Sequence, residues 1–133
     1  MMPLFITNLL SGKKVPVYGK GDNIRDWLFV EDCCKGIMTV LEKGKEGEAY
    51  NIGGECEKIN MEVTRTILSL LSKDEGMINY VEDRKGHDFR YALSNDKIRK
   101  LGWKPTTPFE EGMRKTVEWY KNNSWWWKPL VMK

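Results

Sequence analysis

Apolar and polar positions along this chain follow a helical period in some stretches and a strand-like period in others, and the changes of period mark out its elements. Pro3 to Leu10 is mostly apolar and ends at Ser11-Gly12. That predicts a short helix with proline near its first position and glycine just past its end. Its apolar residues lie on several sides, so it is expected to pack against something upstream. Val15 to Tyr18 predicts a short strand, and Gly19-Lys20-Gly21-Asp22 a turn. Ile24 to Val30 is a second extended segment, rich in β-formers. Glu31 to Lys43 predicts a helix, with Val30, Cys33, Cys34, Ile37, Met38 and Leu41 on one face. Glu31 and Asp32 fall in its first turn, where the helix dipole favours acids.

Further on, Ala49 to Ile52 predicts a strand closed by Gly53-Gly54. Asn60 is placed to cap a helix running to about Ser72, with Thr64, Ile67, Leu68 and Leu71 inward. Ile78 to Val81 predicts a strand, followed by a polar loop from Glu82 to Asp88 and a short extended piece at Arg90 to Leu93. Ser94 is placed to cap a brief helix ending at Leu101-Gly102. Thr107-Pro108-Phe109-Glu110 reads as a capping box with proline at the first helical position. The helix it opens is expected to bury Phe109, Met113, Val117 and Tyr120 and to fray at Asn122-Asn123. Helices and strands alternate without an internal repeat or a linker, which predicts an α/β or α+β arrangement. The length, 133 residues, is that of one domain spanning 1–133.

Composition narrows the function. Hydrophobic residues make up 41% and charged residues 31%, a globular rather than a disordered profile. A net charge of +3, evenly spread, argues against a nucleic-acid partner. No apolar run reaches membrane-spanning length, so no membrane partner is expected. Met1 to Ile6 has neither a charged n-region nor a small-residue cleavage site, so no signal peptide is expected. Cys33, Cys34 and Cys56 lack C-x-x-C spacing, and His87 is the sole histidine. Neither a disulfide framework nor a metal site is predicted, and a reducing cytoplasm is the expected compartment.

No nucleotide loop is complete. Gly19-Lys20-Gly21 begins like G-x-G-x-x-G, but Ile24 stands at the sixth position and no helix is predicted to open there. Gly53-Gly54 continues into no fingerprint, and no G-x-S-x-G elbow or Tyr-x-x-x-Lys pair occurs. The candidates are polar groups in unusual places. Arg25 lies in an apolar segment and needs an anion, either Asp26 or another acid, or a ligand phosphate. Asp83-Arg84-Lys85-Gly86-His87-Asp88, with Arg90 after it, could hold a diphosphate or simply be a solvated loop. Asn51, before two glycines, could meet a ligand or cap a turn. Tyr18 could stack on a base or fill core, and Trp125-Trp126-Trp127 could form an interface or dock on their own domain.

In order and spacing these stretches resemble one family. Pro16-Val17-Tyr18-Gly19-Lys20-Gly21, Ile24 to Asp32 and Tyr50-Asn51-Ile52-Gly53-Gly54 resemble segments of extended short-chain dehydrogenase/reductases acting on nucleotide sugars. Asp83 to Tyr91, Leu101-Gly102-Trp103-Lys104-Pro105, Gly112 to Tyr120 and the ending Asn122 to Trp126 resemble the dTDP-glucose 4,6-dehydratase family more specifically. Lys85 stands where that family usually has proline. The resemblance implies the C-terminal, substrate-binding portion of a Rossmann-type enzyme that binds dTDP-glucose or dTDP. It implies Pro16 and Tyr18 beside the base, Arg25, Asn51 and Arg84 on the nucleotide and diphosphate, and His87 near the phosphates or sugar. It also implies NAD in the complete enzyme, bound upstream by an N-terminal domain that this chain is expected to pack against, and a homodimer. The chain alone is expected to bind no NAD, to be inactive, and to leave apolar faces exposed. A non-catalytic nucleotide-sugar-binding module, and part of a UDP-sugar epimerase or decarboxylase, are the alternatives.

Overall fold

A computed structural model describes residues 1–131 as two compact units, each assembled from separate stretches of chain. Unit 1 takes Met1–Asn23, Ile59–His87 and the chain from Met113 on. Unit 2 takes Ile24–Lys58 and Asp88–Gly112.

In unit 1, helix α1 (Met2–Leu10) is followed by strand β1 (Val15–Tyr18). Strand β4 (Ile78–Val81) lies parallel to β1, with Val15 opposite Ile78 and Tyr18 opposite Val81. A parallel pair needs a crossover, and helix α3 (Asn60–Leu70) lies within that connection. α1 packs on β1 and α3, with Phe5, Ile6 and Leu9 buried, so part of its apolar surface is covered within this chain. Val15, Val17, Val63, Ile67 and Leu68 are among the other buried residues of this unit. Asn60 is not the cap of α3 but its first residue; Ile59 takes the cap position, and its amide donates to Glu62. The first-turn amides of α3 are satisfied by the earlier turn instead: Asn60 N–H donates to Asn23 O and Met61 N–H to Gly21 O, at 3.0 and 2.8 Å.

Helix α5 (Phe109–Asn122) starts one residue after Pro108, so that proline sits just outside it. Met113 and Val117 are buried, whereas Phe109 and Tyr120 are half-buried. A further helix, α6 (Ser124–Val131), follows where the sequence predicted only a frayed end. It is docked by Trp127, buried to 3% exposure, whose indole N–H donates to Tyr120 O at 2.8 Å. Trp125 and Trp126 remain exposed.

In unit 2, strand β2 (Ile24–Asp26) pairs with strand β3 (Glu57–Ile59), and Ile24 forms a parallel bridge with Arg90. The extended segment predicted to Val30 ends early. Trp27 N–H makes a last bond to Cys56 O, and helix α2 (Val30–Lys43) begins three residues on. Ala49 to Ile52 forms no strand. Side chains meet the backbone at its start and just past its end: Lys97 Nζ donates to Ala49 O at 2.7 Å, and the amide of the following Gly53 donates to Asn95 Oδ1 at 2.7 Å. Helix α4 (Asp96–Arg99) has Asn95, not Ser94, at its cap position.

α2 buries the opposite of what its pattern suggests. Val30, Ile37, Met38 and Leu41 are 50–76% exposed, while Asp32 and Gly36 are buried. A Cβ on Gly36 would lie 2.8 Å from an Ile52 methyl and 3.1 Å from the Trp103 ring, so only glycine admits both. Asp32 accepts from the amides of Thr106 and Thr107 at 2.9 and 2.7 Å and from the Thr106 hydroxyl at 2.9 Å. Burial pushes its carboxyl up, but these hydrogen bonds outweigh it and hold the group well below the usual carboxylate range.

Candidate functional site

Because β1 and β4 are parallel, both finish at the same edge, the edge at which open α/β sheets bind ligands. Gly19 N–H extends the ladder by donating to Val81 O at 2.9 Å. Tyr18 therefore emerges beside the loop that follows β4. Its ring is 42% exposed, so it does not fill core. The Arg84 guanidinium lies over the Tyr18 ring, 5.2 Å from its centroid, and the His87 ring meets it edge-on at 6.0 Å. Asp83 Oδ1 accepts from Arg84 N–H at 2.8 Å and lies 2.6 Å from His87 Nδ1. The hydrogen bond from His87 is the main reason that the Asp83 carboxyl sits below its ordinary range. Pro16 lies two residues before Tyr18 on the same face of β1, opposite Asn79. Unit 1 thus brings together Tyr18, Arg84 and His87, with Pro16 on the adjoining strand.

Arg25 and Asn51 belong to unit 2. The Arg25 guanidinium donates to Ile24 O and Asp88 O at 2.6 and 2.9 Å and lies over the Tyr91 ring at 4.3 Å. Tyr91 O–H in turn donates to the Asp88 carboxylate. The Asp26 oxygens accept from the amides of Gly54 and Cys56, both at 2.8 Å. Asn51 is exposed, two residues before the backbone of Gly53, whose amide and carbonyl are both bound by the buried Asn95 side chain. Arg90, grouped by sequence with the cations of the loop, is bidentate on Glu57 at 2.5 and 2.6 Å. Sequence reasoning missed Tyr91 and Asn95; the signal available for Tyr91 was its place within the Asp83 to Tyr91 motif.

Neither glycine pair cradles a dinucleotide. The amides of Gly53 and Gly54 are already donated to Asn95 and Asp26, and Gly21 N–H closes a turn onto Tyr18 O at 2.9 Å. The segment after Gly21 leads to a strand, not to a helix N-terminus. Neither pair therefore offers free amides at a helix start to a dinucleotide phosphate. A cleft of about 450 Å³ in unit 2, lined by Gly54, Cys56, Lys58, Pro105, Thr107 and Phe109 among others, contains none of the predicted site residues. Among the described residues no cluster of metal-ligating side chains occurs, and no helix is long and apolar enough to cross a membrane.

The family model described as GDP-mannose 4,6 dehydratase matches residues 1–116. The chain belongs to this family. Within it, the chain is a homologue of dTDP-glucose 4,6-dehydratases. It is 54% identical to the one from Shigella flexneri, over 95% of this chain and 37% of the relative. The crystal structure of the Bacillus anthracis enzyme, in complex with NAD, is 52% identical with a TM-score of 0.90, over 97% of this chain and 41% of that one. The Streptomyces venezuelae enzyme, with NAD and a second ligand bound, is 48% identical with a TM-score of 0.92, over 97% of this chain and 40% of that one. The chain therefore spans about two-fifths of the length of these family members and shares their mixed α/β structure over that span.

Proposed function

We propose that residues 1–133 are the C-terminal, sugar-nucleotide-binding portion of an NAD-dependent dTDP-glucose 4,6-dehydratase, a cytoplasmic lyase of deoxysugar biosynthesis. The complete enzyme converts dTDP-glucose to dTDP-4-keto-6-deoxyglucose. The observation that carries this reading is the exposed Tyr18 ring lying under the Arg84 guanidinium at the carboxyl edge of a parallel strand pair. An exposed aromatic face suits a nucleobase, and a neighbouring guanidinium suits a diphosphate through its paired N–H donors. Pro16 borders the base, Arg25, Asn51 and Arg84 hold the nucleotide and diphosphate, and His87 meets the phosphates or sugar. NAD and the groups that transfer hydride and expel water belong to the N-terminal domain of the complete, homodimeric enzyme. Hydride chemistry resides in that cofactor, and neither glycine pair of this chain offers its phosphates a site, so this chain alone binds sugar nucleotide without turnover.

Titration of tryptophan fluorescence with dTDP, UDP and GDP tests the reading. Trp27 is two residues from Arg25 and reports on a bound diphosphate. Saturable binding that favours dTDP, weakened on the order of a hundredfold in Arg84→Ala, is expected from loss of a charge-assisted pair of hydrogen bonds. Equal response to all three nucleotides, or binding untouched by Arg84→Ala, would refute it.

A further inference from the structure

An acid beside a site for a diphosphate repels its ligand, so Asp83 calls for an explanation. We propose that Asp83 is a positioning residue: one carboxylate oxygen fixes both the Arg84 backbone and the His87 ring, and so sets the Arg84 guanidinium and the Tyr18 ring together before a ligand arrives. The inference rests on the sugar-nucleotide reading above.

Four observations support it. Oδ1 of Asp83 serves two groups at once, Arg84 N–H at 2.8 Å and His87 Nδ1 at 2.6 Å. The chain between them is closed by His87 N–H donating to Arg84 O at 3.1 Å, a reversal that Gly86 permits at φ +71°. The other side of the carboxylate rests against the end of β1: Oδ2 would lie 3.4 Å from a Cβ on Gly19, the residue after Tyr18. Finally, the His87 side chain is only 7% exposed although residues 82–86 around it are exposed. Together these hold three ligand-facing groups in one arrangement on a polar loop that would otherwise have to be ordered by the ligand. Fixing a loop in advance removes that cost from binding. Asp83 also spends its charge locally, on a histidine ring and beside an arginine, which limits its repulsion of an anion.

His87 is the chain's single histidine, so its ring nitrogens give unambiguous NMR signals. Which nitrogen carries the proton is set by the hydrogen bond it makes. In the full chain at pH 8 the proton is expected on Nδ1, and Asp83→Ala is expected to move it to Nε2. Asp83→Ala should weaken dTDP binding on the order of tenfold, the scale of losing preorganisation at one loop. Asp83→Asn keeps an acceptor oxygen and should stay within about threefold of the unaltered chain, the two variants unfolding at the same temperature as it. A proton on Nε2 in the unaltered chain, or dTDP binding unchanged in Asp83→Ala, overturns the inference. If Arg84→Ala weakens dTDP binding as expected while Asp83→Ala leaves it unchanged, only the role of Asp83 falls. If the unaltered chain binds no dTDP, the sugar-nucleotide reading falls and takes the ligand half of this inference with it.

Discussion

Asp32 shows how much a single buried acid can decide. It is 1% exposed, and its carboxylate ties the chain at Thr106 and Thr107 to α2, while its backbone carbonyl accepts from the Trp103 indole at 3.1 Å. A carboxyl whose folded pKa lies below its unfolded value stabilises the fold fully above the unfolded value, near 4. That stability is lost as pH falls below about 4 toward the folded value. Asp32→Asn removes the charge from several charge-assisted bonds and should cost about 2–3 kcal/mol at pH 7. Urea unfolding at pH 7 and pH 3 checks this: the variant should be less stable at pH 7, and should lose less than the unaltered chain on going to pH 3. The sequence offered Asp32 only as a first-turn acid, because its partners lie more than seventy residues away. The candidate site was legible on the same terms. Tyr18, Arg84 and His87 were readable as residue types within a resembling motif. The loss of Arg90 to Glu57, across thirty-three residues, was not.

At the level of elements, periodicity recovered α1, α2, α3, β1, β4 and α5 within a few residues. It failed where an element needs a partner or a tertiary anchor. Ala49 to Ile52 has strand-like residues, but side chains, not a neighbouring strand, meet the backbone at its start and just past its end. α6 follows a stop signal at Asn122-Asn123 and owes its place to the Trp127 indole bond, which no local pattern announces. α2 is the opposite case: its period was correct and its apolar face was found, yet Val30, Ile37, Met38 and Leu41 lie open to solvent. Each such side chain is worth roughly 1.5–3 kcal/mol if covered. The chain by itself is therefore expected to associate as its concentration rises through the micromolar range. Ile37→Glu combined with Leu41→Lys should return it to a monomer in sedimentation equilibrium. A monomer at every concentration before substitution would count against this role for the α2 face.

At the scale of the molecule, the chain matches about two-fifths of its dehydratase relatives and is still assembled as two compact units. That partition was not legible, because the composition changes nowhere along the chain and no linker separates the units. Its consequence lies in connectivity. The backbone passes from one unit to the other at 23/24, 58/59, 87/88 and 112/113, so no end of the chain contains a whole unit. A nick in the exposed Lys85-Gly86 stretch divides both units between the two pieces. Each piece then depends on the other for its core. The nicked chain should elute as one species in gel filtration and come apart only in denaturant, whereas trimming from either end should abolish folding. A protein threaded in this way resists being shortened: it can be cut and remain whole, but it cannot be pared down to a smaller working module.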